Sequence, residues 1–123
     1  MITTRFDHQE QVLYVHNQGS ISIDELVNAS NDYMLKVNRS KNLRILEFAD
    51  AELARTPGKE WKKFLDVLNG WIQNFSSVRH AVISVDPHVV ANVMLVQQEI
   101  CHPNYDLNIF STEKAARKWL SEH

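Results

Sequence analysis

Apolar positions along this chain recur with two periods, and the change between them marks the elements. ITTRF (2–6) and VLYVHNQG (12–19) are β-branched and aromatic runs separated by the polar DHQEQ, which predicts an antiparallel hairpin. LRILEFA (43–49), RHAVISV (79–85) and DLNIF (106–110) are further strand candidates. The first two are apolar at most positions, as in strands covered on both faces. Between the strands the period lengthens. Leu26, Tyr33, Met34 and Val37 share one helical stripe, and Trp61, Phe64, Leu65, Leu68, Trp71, Ile72 and Phe75 form a second and clearer one. HVVANVMLVQQEI (88–100) is β-branched enough for a strand, but Val89, Val93, Val96 and Ile100 recur at helical spacing. In the last segment Ala115, Ala116, Trp119 and Leu120 are the inward candidates.

Local start signals agree with this division. Ser22 and Glu25 have capping-box spacing, in which a hydroxyl and a carboxylate satisfy orphan backbone N–H groups. Thr56-Pro57 and Asp86-Pro87 each pair an N-cap with a proline at the first helical position, where its missing N–H costs nothing. Ser111 is the expected cap of TEKAARKWL. Gly70 interrupts the long helix at a cost of about 1 kcal/mol against alanine, less than its apolar anchors return. The resulting order is β-β-α-β-α-β-α-β-α. It predicts an α/β domain spanning 1–123, with about four helices and a single mixed sheet: the antiparallel hairpin first, then parallel strands joined by right-handed crossovers.

Composition changes this picture only by exclusion. At 123 residues, with 44% hydrophobic and 23% charged positions, the chain suits one soluble domain with one core. A formal net charge of −2, without any basic block, argues against nucleic acid as a partner. One cysteine, Cys101, forms no intramolecular disulfide. No signal-peptide core follows the first residues, and no apolar run approaches the roughly 20 residues that span a bilayer. The cytoplasm is the expected location.

LYVHNQGSISIDEL (13–26) and LNIFSTEKAARKWL (107–120) carry a resemblance that extends over essentially the whole chain. The order and these segments resemble the STAS domain of anti-sigma-factor antagonists and anion-transporter tails. The small stand-alone relatives described as STAS-like or CRAL-TRIO-like are the nearest in pattern. In the antagonists a serine after the central strand, in a Ser-Ser-Gly-like segment, is phosphorylated by a partner kinase. The corresponding stretch here reads ADAELARTPGKEW, without that serine; its only hydroxyl is Thr56, which is both an N-cap candidate and the candidate phosphorylation site.

Ligands of open α/β sheets sit beyond the carboxyl ends of parallel strands. That rule draws attention to Asp50, Glu52 and Arg55 after one strand and to Ser84, Asp86 and His88 after the next. Together with two helix N-termini they offer a rim for a carboxylate or phosphate; the plainer reading is caps and solvated loop charges. Histidine spacing gives no metal pair, and HExxH and CxxC are absent, so no metal and no cofactor is expected. His80, at the start of its strand, and His88, past its end, are expected to lie roughly 20 Å apart at strand rise. Cys101-His102-Pro103 reads as a buried thiol closing a helix rather than a catalytic pair. Trp61, Trp71 and Phe75 either pack as core or line a cavity under the long helix.

The expectation is therefore a non-enzymatic STAS-like regulatory or protein-interaction module. Its contact surface would be the 50–56 loop and the following helix, with another protein or a second copy as partner. The alternative is a carrier holding a small apolar or anionic molecule between the long helix and the sheet.

Overall fold

In the computed structural model of the protein, residues 1–37, 42–53, 58–100 and 102–122 are described. The elements are β1 (Ile2–Asp7), β2 (Val12–Ile21), α1 (Ile23–Lys36), β3 (Asn42–Leu53), α2 (Gly58–Ile72), β4 (Ser77–Ile83), α3 (Pro87–Glu99), β5 (Tyr105–Phe110) and α4 (Glu113–Ser121). They form one five-stranded sheet in the order β1-β2-β3-β4-β5. β1 pairs antiparallel with β2, and all other pairs are parallel. The predicted order and mixed sheet are both present. Among the described residues, no helix is long and apolar enough to cross a membrane.

This strand order places the helices. Each parallel step moves one strand in the same direction, and a right-handed crossover then deposits its helix on the same face every time. α1, α2 and α3 accordingly share one side, over a core that includes Leu13, Ile45, Val78, Leu68, Ile72 and Val93. α4 has no strand after it and returns to the other face, where Ala116 and Leu120 close over Val12, Leu46 and Ala81. Arg79 holds it there. Its guanidinium donates to the carbonyls of Trp119 and Glu122 at the end of α4 and stacks 4.2 Å from the Trp119 ring.

The caps follow the sequence signals, with one shift. The Ser22 hydroxyl accepts the Glu25 N–H at 3.1 Å, and the Asp86 carboxylate accepts the His88 N–H at 2.9 Å, ahead of Pro87. Thr112, not Ser111, caps α4, because its hydroxyl is the one that reaches the Ala115 N–H, at 3.2 Å. The ambiguous 88–100 segment is helical, with Val93 and Val96 buried. At the hairpin, the Asp7 carboxylate accepts the N–H groups of Glu10 and Gln9. The Glu10 bond is the main reason its carboxyl is held below the usual value.

Four other expectations shift. β3 does not end at Ala49 but runs to Leu53, because β2 continues alongside it through the pairs Gln18↔Asp50 to Ile21↔Leu53. Asp50 and Glu52 therefore lie on a strand and not in a loop. His80 is in the middle of β4, which begins at Ser77, and not at its start. Ala115 is exposed, since a nine-residue helix needs only Ala116, Trp119 and Leu120 to cover its strip of sheet. α2 ends at Ile72, yet Phe75 stays buried through a tight turn in which its N–H reaches the Ile72 carbonyl at 3.2 Å. Arg55, Thr56, Pro57 and Cys101 lie outside the described residues.

Candidate functional site

The alternation of side chains along a strand sorts residues between the two faces. On the face beneath α1, α2 and α3, β2 presents Leu13 and Val15, β3 presents Leu43 and Ile45, β4 presents Val78 and Val82, and β5 presents Leu107. The same parity brings four polar side chains inward: Asn17, Glu47, His80 and Tyr105. Register makes them neighbours. Glu47 sits opposite Val15 and Val82, and His80 opposite Ile45 and Leu107, so residues remote in sequence meet at the centre of the sheet.

They form a continuous chain of hydrogen bonds. His80 Nε2 lies 2.8 Å from Glu47 Oε1, and His80 Nδ1 lies 2.8 Å from the Tyr105 hydroxyl. Glu47 Oε2 accepts from Asn17 Nδ2 at 2.9 Å. A carboxylate only accepts, so Nε2–H donates to it; in the tautomer this leaves, Nδ1 accepts the phenolic proton, and all three side chains are satisfied. Burial pushes the Tyr105 phenol well above its ordinary pKa, with nearby Tyr33 and Glu47 acting in the same direction. Tyr33, whose hydroxyl accepts from Ser30 at 3.3 Å, is raised for the same first reason. Both phenols stay protonated in the folded chain across the physiological range.

Above this network is a cavity of about 100 Å³ between the sheet and the three helices. Its wall is mostly apolar: Val15, Ile21 and Val82 from the sheet, Leu26 and Ala29 from α1, Trp61, Phe64 and Leu68 from α2, and Val89, Val93 and Val96 from α3. The polar contributions are Asn17, Ser30, Tyr33, Glu47, His80, Asn92 and Tyr105. Leu26, Ala29, Trp61, Phe64, Val89 and Asn92 are only half-buried, and the cavity meets solvent among them. Two buried polar atoms of lining residues have no hydrogen-bond partner, Asn17 Oδ1 and Trp61 Nε1.

Of the residues singled out from the sequence, Trp61 and His80 line this cavity, whereas Asp50, Ser84, Asp86 and His88 do not. Asp50 turns its carboxylate to His16 on β2, 3.0 Å away, on the far side of β3 from β4. Ser84 accepts the Asp86 N–H at 3.1 Å and Asp86 caps α3, so both are engaged in shaping the β4–α3 turn. His88 is exposed in the first turn of α3. The proposed rim is thus divided, with Arg55 and Thr56 outside the described residues. Among the described residues, no group of three His, Cys, Asp or Glu side chains is arranged to hold a metal ion. Glu47, Asn17 and Tyr105 escaped the sequence reading, although a signal existed. Each is a polar or hydroxyl-bearing residue at an inward parity position whose neighbours two residues away on the same strand include an apolar core residue: Val15 for Asn17, Ile45 for Glu47 and Leu107 for Tyr105.

The fold has a solved counterpart. An uncharacterised protein of the DUF3478 family with a SpoIIAA-like fold, from Shewanella loihica PV-4, is similar at a TM-score of 0.60 and 14% identity, over 98% of this chain and 92% of that one. The chain has a SpoIIAA-like, STAS-like fold. No protein-family model and no curated protein matches it. At that identity the likeness carries the architecture alone, so any function has to be argued from the cavity and its polar floor.

Proposed function

We propose that this chain is a non-enzymatic, cytoplasmic STAS-like module that holds a small, largely apolar molecule in the cavity between α1, α2, α3 and the sheet. The observation that carries this reading is a cavity of about 100 Å³ with a buried polar floor. Close-packed interiors seldom keep such space, and buried polar groups are ordinarily satisfied. Carrying rather than chemistry is supported by the way Glu47, His80 and Tyr105 spend their hydrogen bonds on one another. A net charge of −2 speaks for a partner other than nucleic acid. The competing reading is contact with another protein or a second copy, through the 50–56 segment and α2.

One experiment separates these: native and denaturing mass spectrometry of the chain isolated from its own host. The expected result is a non-covalent mass increment present under native conditions and lost on denaturation. A bare monomer in both spectra overturns the carrier reading, and a doubled mass under native conditions turns attention to self-association. A phosphate-sized increment surviving denaturation would point to modification at Thr56 or another hydroxyl.

A further inference from the structure

α3 departs from the other helices on the side turned away from the sheet. α1, α2 and α4 each carry four or more charged residues. α3, PHVVANVMLVQQE, has a single one, Glu99, in its last turn. A helix without charges is usually covered all round, but this one is not. Val93 and Val96 face the core, whereas Met94 and Leu95 stand 53% and 44% exposed, and Ala91 is exposed as well. Val85, in the turn that leads into the helix, is 79% exposed. Apolar side chains exposed singly are ordinary; an uncharged apolar helix face has the composition of an interface centre.

Helical spacing sorts the outer residues into two adjoining stripes. Pro87, Ala91, Met94 and Gln98, at i, i+4, i+7 and i+11, form an uncharged one. His88, Leu95 and Glu99, at i, i+7 and i+11, form the other, with an imidazole at one end and a carboxylate at the far end. This second stripe borders α2, since Leu95 and Glu99 share a groove with Lys62, Leu65 and Asp66. Laid antiparallel against a copy of itself, about a two-fold axis near Val93, such a helix is self-complementary. Small Ala91 comes opposite the bulky Leu95 of the second copy, and the reverse, so each face offers a hollow where the other has a knob. The two His88 stripes then run side by side in opposite directions. Each Glu99 meets the His88 of the second copy, and its carboxylate accepts from that imidazole. Only the antiparallel arrangement brings these ends together.

We propose that the outer face of α3 is a homodimer interface in which two copies pack α3 against α3 antiparallel. Ala91, Met94 and Leu95 form its centre, and contacts between His88 and Glu99 close both ends. The opposite face of the helix lines the cavity, so the interface stands independently of the carrier reading.

Sedimentation equilibrium of the full chain over a concentration series tests this. One helix pair is a small interface, so dissociation is expected at roughly 0.1 mM. Ala91→Glu puts a charge at the centre of the face and should leave the chain monomeric up to about 1 mM, as should Met94→Lys. Both positions are exposed, so circular dichroism of the two variants should match that of the parent chain. Glu99→Lys alone should weaken association about tenfold, because two equivalent contacts are lost at once. Adding His88→Glu to Glu99→Lys exchanges the signs across the interface and should recover the parent's affinity. A parent chain that stays monomeric at about 1 mM, or a dimer that survives both Ala91→Glu and Met94→Lys, overturns the interface. A double variant that associates no more tightly than Glu99→Lys overturns the antiparallel arrangement.

Discussion

Replacing Glu47 by leucine removes the one acceptor shared by His80 and Asn17. Two donors are left in a site where the Glu47 and His80 side chains are only 21% and 11% exposed. Each unmet donor costs about 1–3 kcal/mol, and a well-buried leucine returns about 1.5 kcal/mol, so the net loss is roughly 2.5 kcal/mol. His80→Leu leaves the carboxylate supported by Asn17 alone and Tyr105 without its acceptor, a loss of about 3 kcal/mol. The double variant removes both members of the pair. It leaves only the Asn17 amide and the Tyr105 hydroxyl unmet, and two leucines offset most of that, so its loss is about 1 kcal/mol. The singles should therefore be strongly non-additive, with a coupling of at least about 2 kcal/mol. Urea unfolding followed by fluorescence of the three tryptophans measures this. With a slope of about 1.5 kcal/mol per molar urea, each single lowers the midpoint by roughly 1.5–2 M and the double by less than about 1 M. A double-variant loss equal to the sum of the two singles would refute the claim that these side chains form one network.

Two further outcomes follow from the same structure. Tyr33 and Tyr105 have folded pKa values above their unfolded ones, both chiefly by burial. The stability this reflects is fully present below about pH 10 and is lost as pH rises toward the folded values. Spectrophotometric titration should show these two of the three tyrosines ionising only together with unfolding, and their ionisation in a still-folded chain would contradict their burial. Gly19 and Gly70 should respond oppositely to alanine. Gly19 sits at φ 73° in β2 with open space around it, so Gly19→Ala costs about 1 kcal/mol through backbone strain alone. Gly70 lies in α2 with nothing near a built Cβ, and Gly70→Ala gains about 0.5–1 kcal/mol; thermal midpoints of the two variants check both signs.

By itself the sequence determined the elements and their order. Local signals were sufficient there: a hydroxyl or carboxylate three residues ahead of a backbone N–H at Ser22 and two ahead at Asp86, and the apolar stripe from Trp61 to Phe75. Parallel pairing followed from the alternation of strands with helices, because crossovers of fixed hand admit few arrangements. The site was another matter. Asp50 looked like a loop residue because nothing in its own neighbourhood says that β2 continues far enough to pair with it. Glu47, His80, Asn17 and Tyr105 lie on four different strands, and no spacing within one segment relates them. Their meeting depends on strand order and register, which are settled by how whole faces of the sheet bury against α1, α2 and α3. The cavity above them belongs wholly to tertiary structure, since empty space arises from the mismatch between surfaces that are each regular on their own.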